Sequence, residues 1–172
     1  DNLLLDESTL ETAMPSIYVT RKGMDLLTQK LNEAIEKLRV TQSQKGEAYD
    51  VGGDNWHDNF AFEELNRQEM MFNRQIADIR ALQDQQVLVW HPSDEDHVQI
   101  GHIISLEDED GLIREFKVAG YGETDLRSDP PTLEYGAPII SPFMGTEVGT
   151  EANVQIKGKL TSLLLTAIKK GR

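Results

Sequence analysis

The chain has 172 residues, 38% hydrophobic but only 6% aromatic, and a formal net charge of −13 at pH 7. That length fits one or two domains, and the scarcity of aromatics suits a modest core, or a core joined to an elongated element with little interior. The acidity argues against a protein that wraps bare duplex DNA, because neutralising phosphates takes clustered Lys and Arg. Cysteine is absent, which removes disulfides, thiolate metal sites and cysteine catalysis and fits the cytoplasm. No apolar run approaches the ~20 residues that cross a bilayer, so no membrane partner is expected. The start, DNLLLDESTLETAMP, has no basic region before its apolar residues and does not read as a secretory signal.

Residues 1–16 read as an acidic, flexible extension that ends in an extended approach after Pro15. Thr20 is placed to cap a helix beginning near Arg21. From there Met24, Leu27, Leu31, Ala34, Leu38 and Thr41 recur at alternating spacings of three and four, the seam of a coiled coil. Leu26 and Ile35 widen the stripe. The pattern fades toward Gly46, Gly52 and Gly53, which permit a reversal. A second apolar series, Leu65, Phe72, Ile76, Ile79 and Leu82, predicts a returning helix, each arm spanning about 35 Å at ~1.5 Å per residue. Residues 17–86 are therefore expected to form an antiparallel hairpin with an acidic tip near 50–60.

After Gln86 the texture changes. VLVW, VQIGHIISL, REFKVAGY, ANVQIKG and TSLLLTAI predict about five strands in a second domain over 87–172, the last of them buried on both faces. HPSDED, EDEDG and RSDPP are turn chemistry, and EYGAPIISPFMG fits a short helical turn between strands.

These elements, in this order, resemble the Gre family of bacterial transcript-cleavage factors. YVTRKGMDLLTQKLNEA resembles the start of that family's first helix, and GGDNWHDNFAF resembles its tip pattern G-D-x-x-E-N-x-E-Y. RQIADIRAL, IGHIISLEDEDGLIREFKVAGYGETD and GAPIISPFMGTEVGTEANVQI resemble its second-helix and β-domain blocks. The resemblance covers about residues 17 to 170. It implies an α+β fold, an N-terminal antiparallel α-helical coiled-coil hairpin followed by a small FKBP-like antiparallel β domain.

The resemblance also implies a function. Family members bind bacterial RNA polymerase through the β domain and insert the hairpin in its secondary channel. Two tip carboxylates there help hold a Mg²⁺ shared with the polymerase, so that the nascent RNA 3′ end of a backtracked complex is cleaved. Carried over, the acids are Asp54 and Asp58, with Asn59 supporting the loop. The chain would be a monomeric cofactor of another enzyme, with no cofactor of its own in isolation and no independent grip on duplex DNA. One departure stands out. Asn55, Trp56 and His57 put three residues between the tip acids where the family usually has two, and the second acid is Asp rather than Glu.

The same residues carry plainer readings. Asp54 and Asp58 are ordinary N-cap residues for the second helix. Trp56 either stacks on RNA or a polymerase wall, or packs back on Phe60 or Phe62. His57 either meets RNA phosphate or metal, or is simply solvated. Tyr121, Phe143 and Met144 are candidates for polymerase docking and equally for the β-domain core. Lys37, Arg39, Lys45, Arg67, Arg74 and Arg80 read as guides for RNA or as solvated faces with pairs such as Glu33–Lys37. HPSDEDH and EDEDG read as polar turns; EDEDG lacks the length and spaced ligands of a Ca²⁺ loop. No P-loop, nucleophile elbow or zinc helix is present. The rival functions are a channel-occupying inhibitor that does not promote cleavage, a coiled-coil adaptor, and a stand-alone peptidyl-prolyl isomerase. Fold alone does not transfer the last of these activities.

Overall fold

The computed structural model describes residues 15–52 and 60–171; the extension before Pro15 and the predicted tip residues 53–59 lie outside them. By contacts the chain divides into two units. One holds Ile17 and Asp25–Gln86; the other holds Tyr18–Met24 together with the chain from Val87 onward.

The helical unit is built from α1 (Arg21–Gly52) and α2 (Phe60–Gln85). Thr20 caps α1: its Oγ1 accepts the Gly23 N–H at 3.3 Å, and its carbonyl accepts that of Met24 at 3.0 Å. On α1 the covered positions are Met24, Leu26, Leu27, Leu31, Ala34, Leu38, Thr41, Lys45 and Ala48, with exposed residues between Leu27 and the later ones. On α2 the matching series is Phe62, Leu65, Glu69, Phe72, Ile76, Ile79, Leu82 and Gln83. This is the expected seam, with two differences. Ile35 is exposed and does not widen it, and polar residues continue it beyond Thr41. The helix also outlasts its apolar pattern. Gly46 is helical, with open space where a side chain would stand, and α1 runs 32 residues against 26 in α2, about 48 and 39 Å at ~1.5 Å per residue. One solvent-facing glycine costs only about 1 kcal/mol against alanine, too little to stop a helix held along its seam.

Short strands β1 (Ile17–Val19) and β2 (Gln86–Leu88) flank the helices in sequence and pair as a two-stranded sheet. The second unit is a five-stranded sheet of β3 (His102–Glu107), β4 (Ile113–Ala119), β5 (Thr132–Glu134), β6 (Glu151–Ile156) and β7 (Lys159–Lys170), in the order β5-β4-β3-β7-β6. The sheet is antiparallel except at one edge, where β4 and β5 run parallel. Thr132–Glu134, with Leu133 its one apolar residue, carries no strand pattern of its own, which is why β5 is absent from the sequence reading. A 3₁₀ turn at Ser141–Phe143 supplies the helical turn expected in EYGAPIISPFMG.

The core lies on one side of this sheet. Ile104, Leu106, Val118, Leu163, Leu165 and Ile168 meet Ile140 and Phe143 from the 3₁₀ segment. β7 is not buried on both faces as its composition suggested. Leu163, Leu165 and Ile168 are buried, Leu164 and Thr166 are half-covered, and Leu160 is 60% exposed. The step from 165 to 168 breaks the two-residue alternation because Ser105 pairs with Ala167 while Leu106 pairs with Leu165, leaving Thr166 as a bulge. The β6–β7 hairpin turns on Lys157 and Gly158, both at positive φ (50° and 78°), the backbone a two-residue turn of this hand needs.

Tyr18–Met24 is tied to the sheet unit by backbone bonds. Val89 N–H donates to the Val19 carbonyl and Tyr121 N–H to the Tyr18 carbonyl, each at 2.8 Å. Gly120 is required there: a Cβ would stand 2.8 Å from Glu123 Oε2 and 3.0 Å from both Thr20 N and Tyr18 O.

Candidate functional site

The hairpin's far half differs chemically from its near half. Beyond Thr41 the seam holds Lys45, whose Nζ lies 3.2 Å from Glu69 Oε2 and 5.5 Å from the centroid of the Phe62 ring. Both charged side chains are largely covered, at 30% and 25% exposure. The lysine stem fills the seam while its ammonium is held by a carboxylate and a ring face. A cavity of about 400 Å³ beside them is lined by Gln42, Tyr49, Asp50, Phe62 and Glu69 among others. Phe60, at the start of α2, is 82% exposed, and Tyr49 and Asp50 are exposed near the end of α1. This end thus offers aromatic surface and a carboxylate around a polar seam.

Asp54, Trp56, His57, Asp58 and Asn59 lie outside the described residues. Of the neighbours considered for Trp56, Phe62 is half-buried beneath Lys45, whereas Phe60 is open. The basic residues divide. Lys45 belongs to the seam and not to a solvated face. Arg39 and Arg67 are held by Glu36 and Glu64 at 2.7 and 2.6 Å. The Arg67 hydrogen bond, with one from Gln68, pulls the Glu64 carboxyl down to about 2. Glu33 accepts from Gln29 at 2.9 Å rather than pairing with Lys37. Of the six basic residues singled out from the sequence, Lys37, Arg74 and Arg80 form no ion pair among the described residues and are free to meet a phosphate.

In the sheet unit one docking candidate is corrected. Phe143 is fully buried, because the 3₁₀ turn aims it into the core. Met144 is half-buried and packs against the same cluster; Tyr121 is half-buried. The two acidic turns are organised by hydrogen bonds to backbone groups. Asp108 Oδ1 accepts the N–H groups of Asp110 and Leu112 at 2.9 and 3.0 Å. In HPSDED, the Asp94 carbonyl accepts from Nε2 of the buried His102 at 2.7 Å, and Nδ1 of that ring accepts the Gln99 N–H at 3.0 Å. One imidazole thereby staples both ends of the loop, a role the sequence did not signal. Among the described residues no group of three or more His, Asp or Glu could hold a metal ion, and no helix is long and apolar enough to cross a membrane.

No protein-family model matches the chain. Its sequence is 27% identical over 143 residues to transcription elongation factor GreB of Haemophilus ducreyi, covering 81% of this chain and 85% of that protein. The chain is similar to GreB over most of its length. Solved structures with which the chain aligns include Gfh1, the GreA factor homolog 1 of Thermus thermophilus, at 19% identity and a TM-score of 0.41, covering 89% of this chain and 98% of that one. Thermus aquaticus Gfh1 aligns at 17% and 0.43, covering 91% and 99%. GreA/GreB from Nitrosomonas europaea aligns at 11% and 0.39, covering 91% and 99%. The fold of the chain, two long helices followed by an antiparallel-rich sheet, is the one the sequence resemblance implied.

Proposed function

We propose that this chain is a transcription elongation factor that binds bacterial RNA polymerase, enters its secondary channel with the hairpin and stimulates cleavage of backtracked transcripts. The observation that carries the reading is the likeness to GreB over most of the chain. A narrow arm of two helices, up to about 48 Å long by the rise per residue, suits entry into a channel. The work would be done in the cytoplasm, where polymerase is. The nuclease chemistry is the polymerase's own; this chain contributes position and charge. Asp54 and Asp58 offer hard carboxylate oxygens, the donor type Mg²⁺ takes, and would hold the ion together with the polymerase. Such an ion would activate water and stabilise the oxygens of the displaced phosphodiester. Phe60, Tyr49 and the unpaired Lys37, Arg74 and Arg80 would steady the RNA 3′ end by stacking and charge.

Adding the full chain to a stalled cognate elongation complex with Mg²⁺ tests this, with shortened transcripts expected. Asp54→Ala with Asp58→Ala should abolish the shortening and leave polymerase affinity within a few-fold. An intact cleavage rate in that double variant would dismiss the tip acids.

A second reading, inhibition without cleavage, is favoured by the three-residue interval between the acids. One added residue moves a carboxylate by up to about 3.5 Å along an extended chain, and Mg²⁺ coordination near 2.0–2.1 Å tolerates little error. Deleting Asn55 separates the readings. An activator already fitted to its polymerase loses cleavage on deletion, and an inhibitor gains it.

A further inference from the structure

With Phe143 in the core, the sheet unit needs another surface for a partner. A cleft of about 400 Å³ opens within that unit, floored by aliphatic side chains of Val89, Ile100, Val118 and Ala119. Arg21, Lys22 and Lys117 line it with Trp90, which is 75% exposed. Among the described residues none of these three cations is in an ion pair. The one carboxylate in the lining, Glu123, is engaged: its Oε2 accepts the Gly120 N–H at 2.9 Å.

The positive character extends further. Lys22 and Lys117 also line a neighbouring cavity of about 550 Å³, together with Lys170, with Lys169, which pairs with Glu115 at 3.1 Å, and with Asp125 and Asp129. Lys117 and Lys169 both pair with Ile103 across adjacent strands, so they share one side of the sheet. In a chain of net charge −13 this concentration of cations around an apolar floor stands out from the rest of the surface.

We propose that this Trp90 cleft is the docking surface of the sheet unit, and that it takes an acidic segment of the polymerase carrying one apolar anchor residue. The inference rests on the polymerase-binding reading above. Charge complementarity selects the occupant: carboxylates of the partner meet Arg21, Lys22 and Lys117 while its anchor enters the aliphatic floor and is covered by Trp90. Tryptophan is among the side chains enriched at the residues that dominate protein interfaces. Single-stranded nucleic acid fits less well, because its platforms stack successive bases on several aromatics, and this cleft has one.

The test measures affinity of the full chain for cognate core polymerase as a function of salt. Trp90→Ala and, separately, Lys22→Glu with Lys117→Glu should each weaken binding at least about tenfold, with the lysine pair also flattening the salt dependence. Lys30→Glu, on the helical unit, serves as a charge control and should leave affinity unchanged. All three sites are at least partly solvated, so melting curves should match the parent and exclude misfolding. Parent-like affinity and salt dependence in folded Trp90 and lysine variants would overturn this proposal alone. No binding by the parent chain would overturn both it and the function it rests on. Variants that keep polymerase affinity but lose binding to a single-stranded RNA oligonucleotide would reassign the cleft to nucleic acid and overturn it as well.

Discussion

The two units are stabilised in different ways. In the sheet unit Ile104, Ile140, Phe143 and Leu165 are fully buried and belong to one cluster. In the helical unit burial is confined to a stripe. Leu27, Ala34, Ile76 and Ile79 are covered in the near half, and beyond Thr41 the stripe passes to a lysine, a glutamate and a half-buried phenylalanine. A thin pair of helices has no second layer to share a defect, whereas a sheet with a packed face does. Stability is therefore concentrated in the unit that needs a fixed shape. The arm's far end has the fewest apolar contacts, the condition under which local opening is easiest.

That contrast can be broken by mutation. The largest loss should come from Phe143→Ala, about 3–5 kcal/mol in urea unfolding of the sheet unit, since no solvent-exposed route lets the cavity collapse. Ile76→Ala should cost about 2–4 kcal/mol and show as lost amide protection in α1 and α2 only. Leu65→Ala, at a half-buried position nearer the far end, should cost less; equal losses at 65 and 76 would erase the gradient along the arm. Next is the seam ion pair. Glu69→Leu alone strands the Lys45 ammonium in a partly covered site and should cost about 1 kcal/mol, whereas Lys45→Leu with Glu69→Leu should be neutral or stabilising. Smallest is the surface pair Glu64–Arg67. Its carboxyl sits at about 2 against an ordinary 4.5, so its contribution is complete above pH 4.5 and disappears as pH falls through about 2. Glu64→Gln should remove that acid-linked change in helix content, and molar salt should shrink it in the parent.

Much of this architecture was legible in the sequence, for a reason visible in particular residues. A period of three and four is written by Leu27, Leu31, Ala34 and Leu38 themselves, and β4 and β6 alternate or carry β-branched residues. What escaped depended on partners distant in sequence. Nothing in the chain around Glu69 marks it as covered; that follows from Lys45 on the other helix. β5 exists through its parallel pairing with β4, and the inward turn of Phe143 depends on a sheet formed elsewhere. The reading of TSLLLTAI as buried on both faces fails at Leu164 and Thr166, which are half-covered, and the bulge at Thr166 leaves no local signature. For the tip acids the reading rests on sequence, and the spacing from Asp54 to Asp58 is the point at which experiment has most to add.

The Lys45–Glu69 pair has a consequence for length. Moving seven residues back from Lys45 and seven forward from Glu69 brings Leu38 level with Ile76, so the ion pair and the heptad spacing of the apolar residues agree on one alignment of the arms. Sliding one helix past the other by a heptad, about 10 Å, would keep aliphatic residues facing aliphatic ones almost everywhere. It would also set an ammonium against Ile76 or a carboxylate against Leu38. The arm behaves as a ruler with one permitted graduation, and its reach is set by a charge in its interior as well as by the number of residues in it.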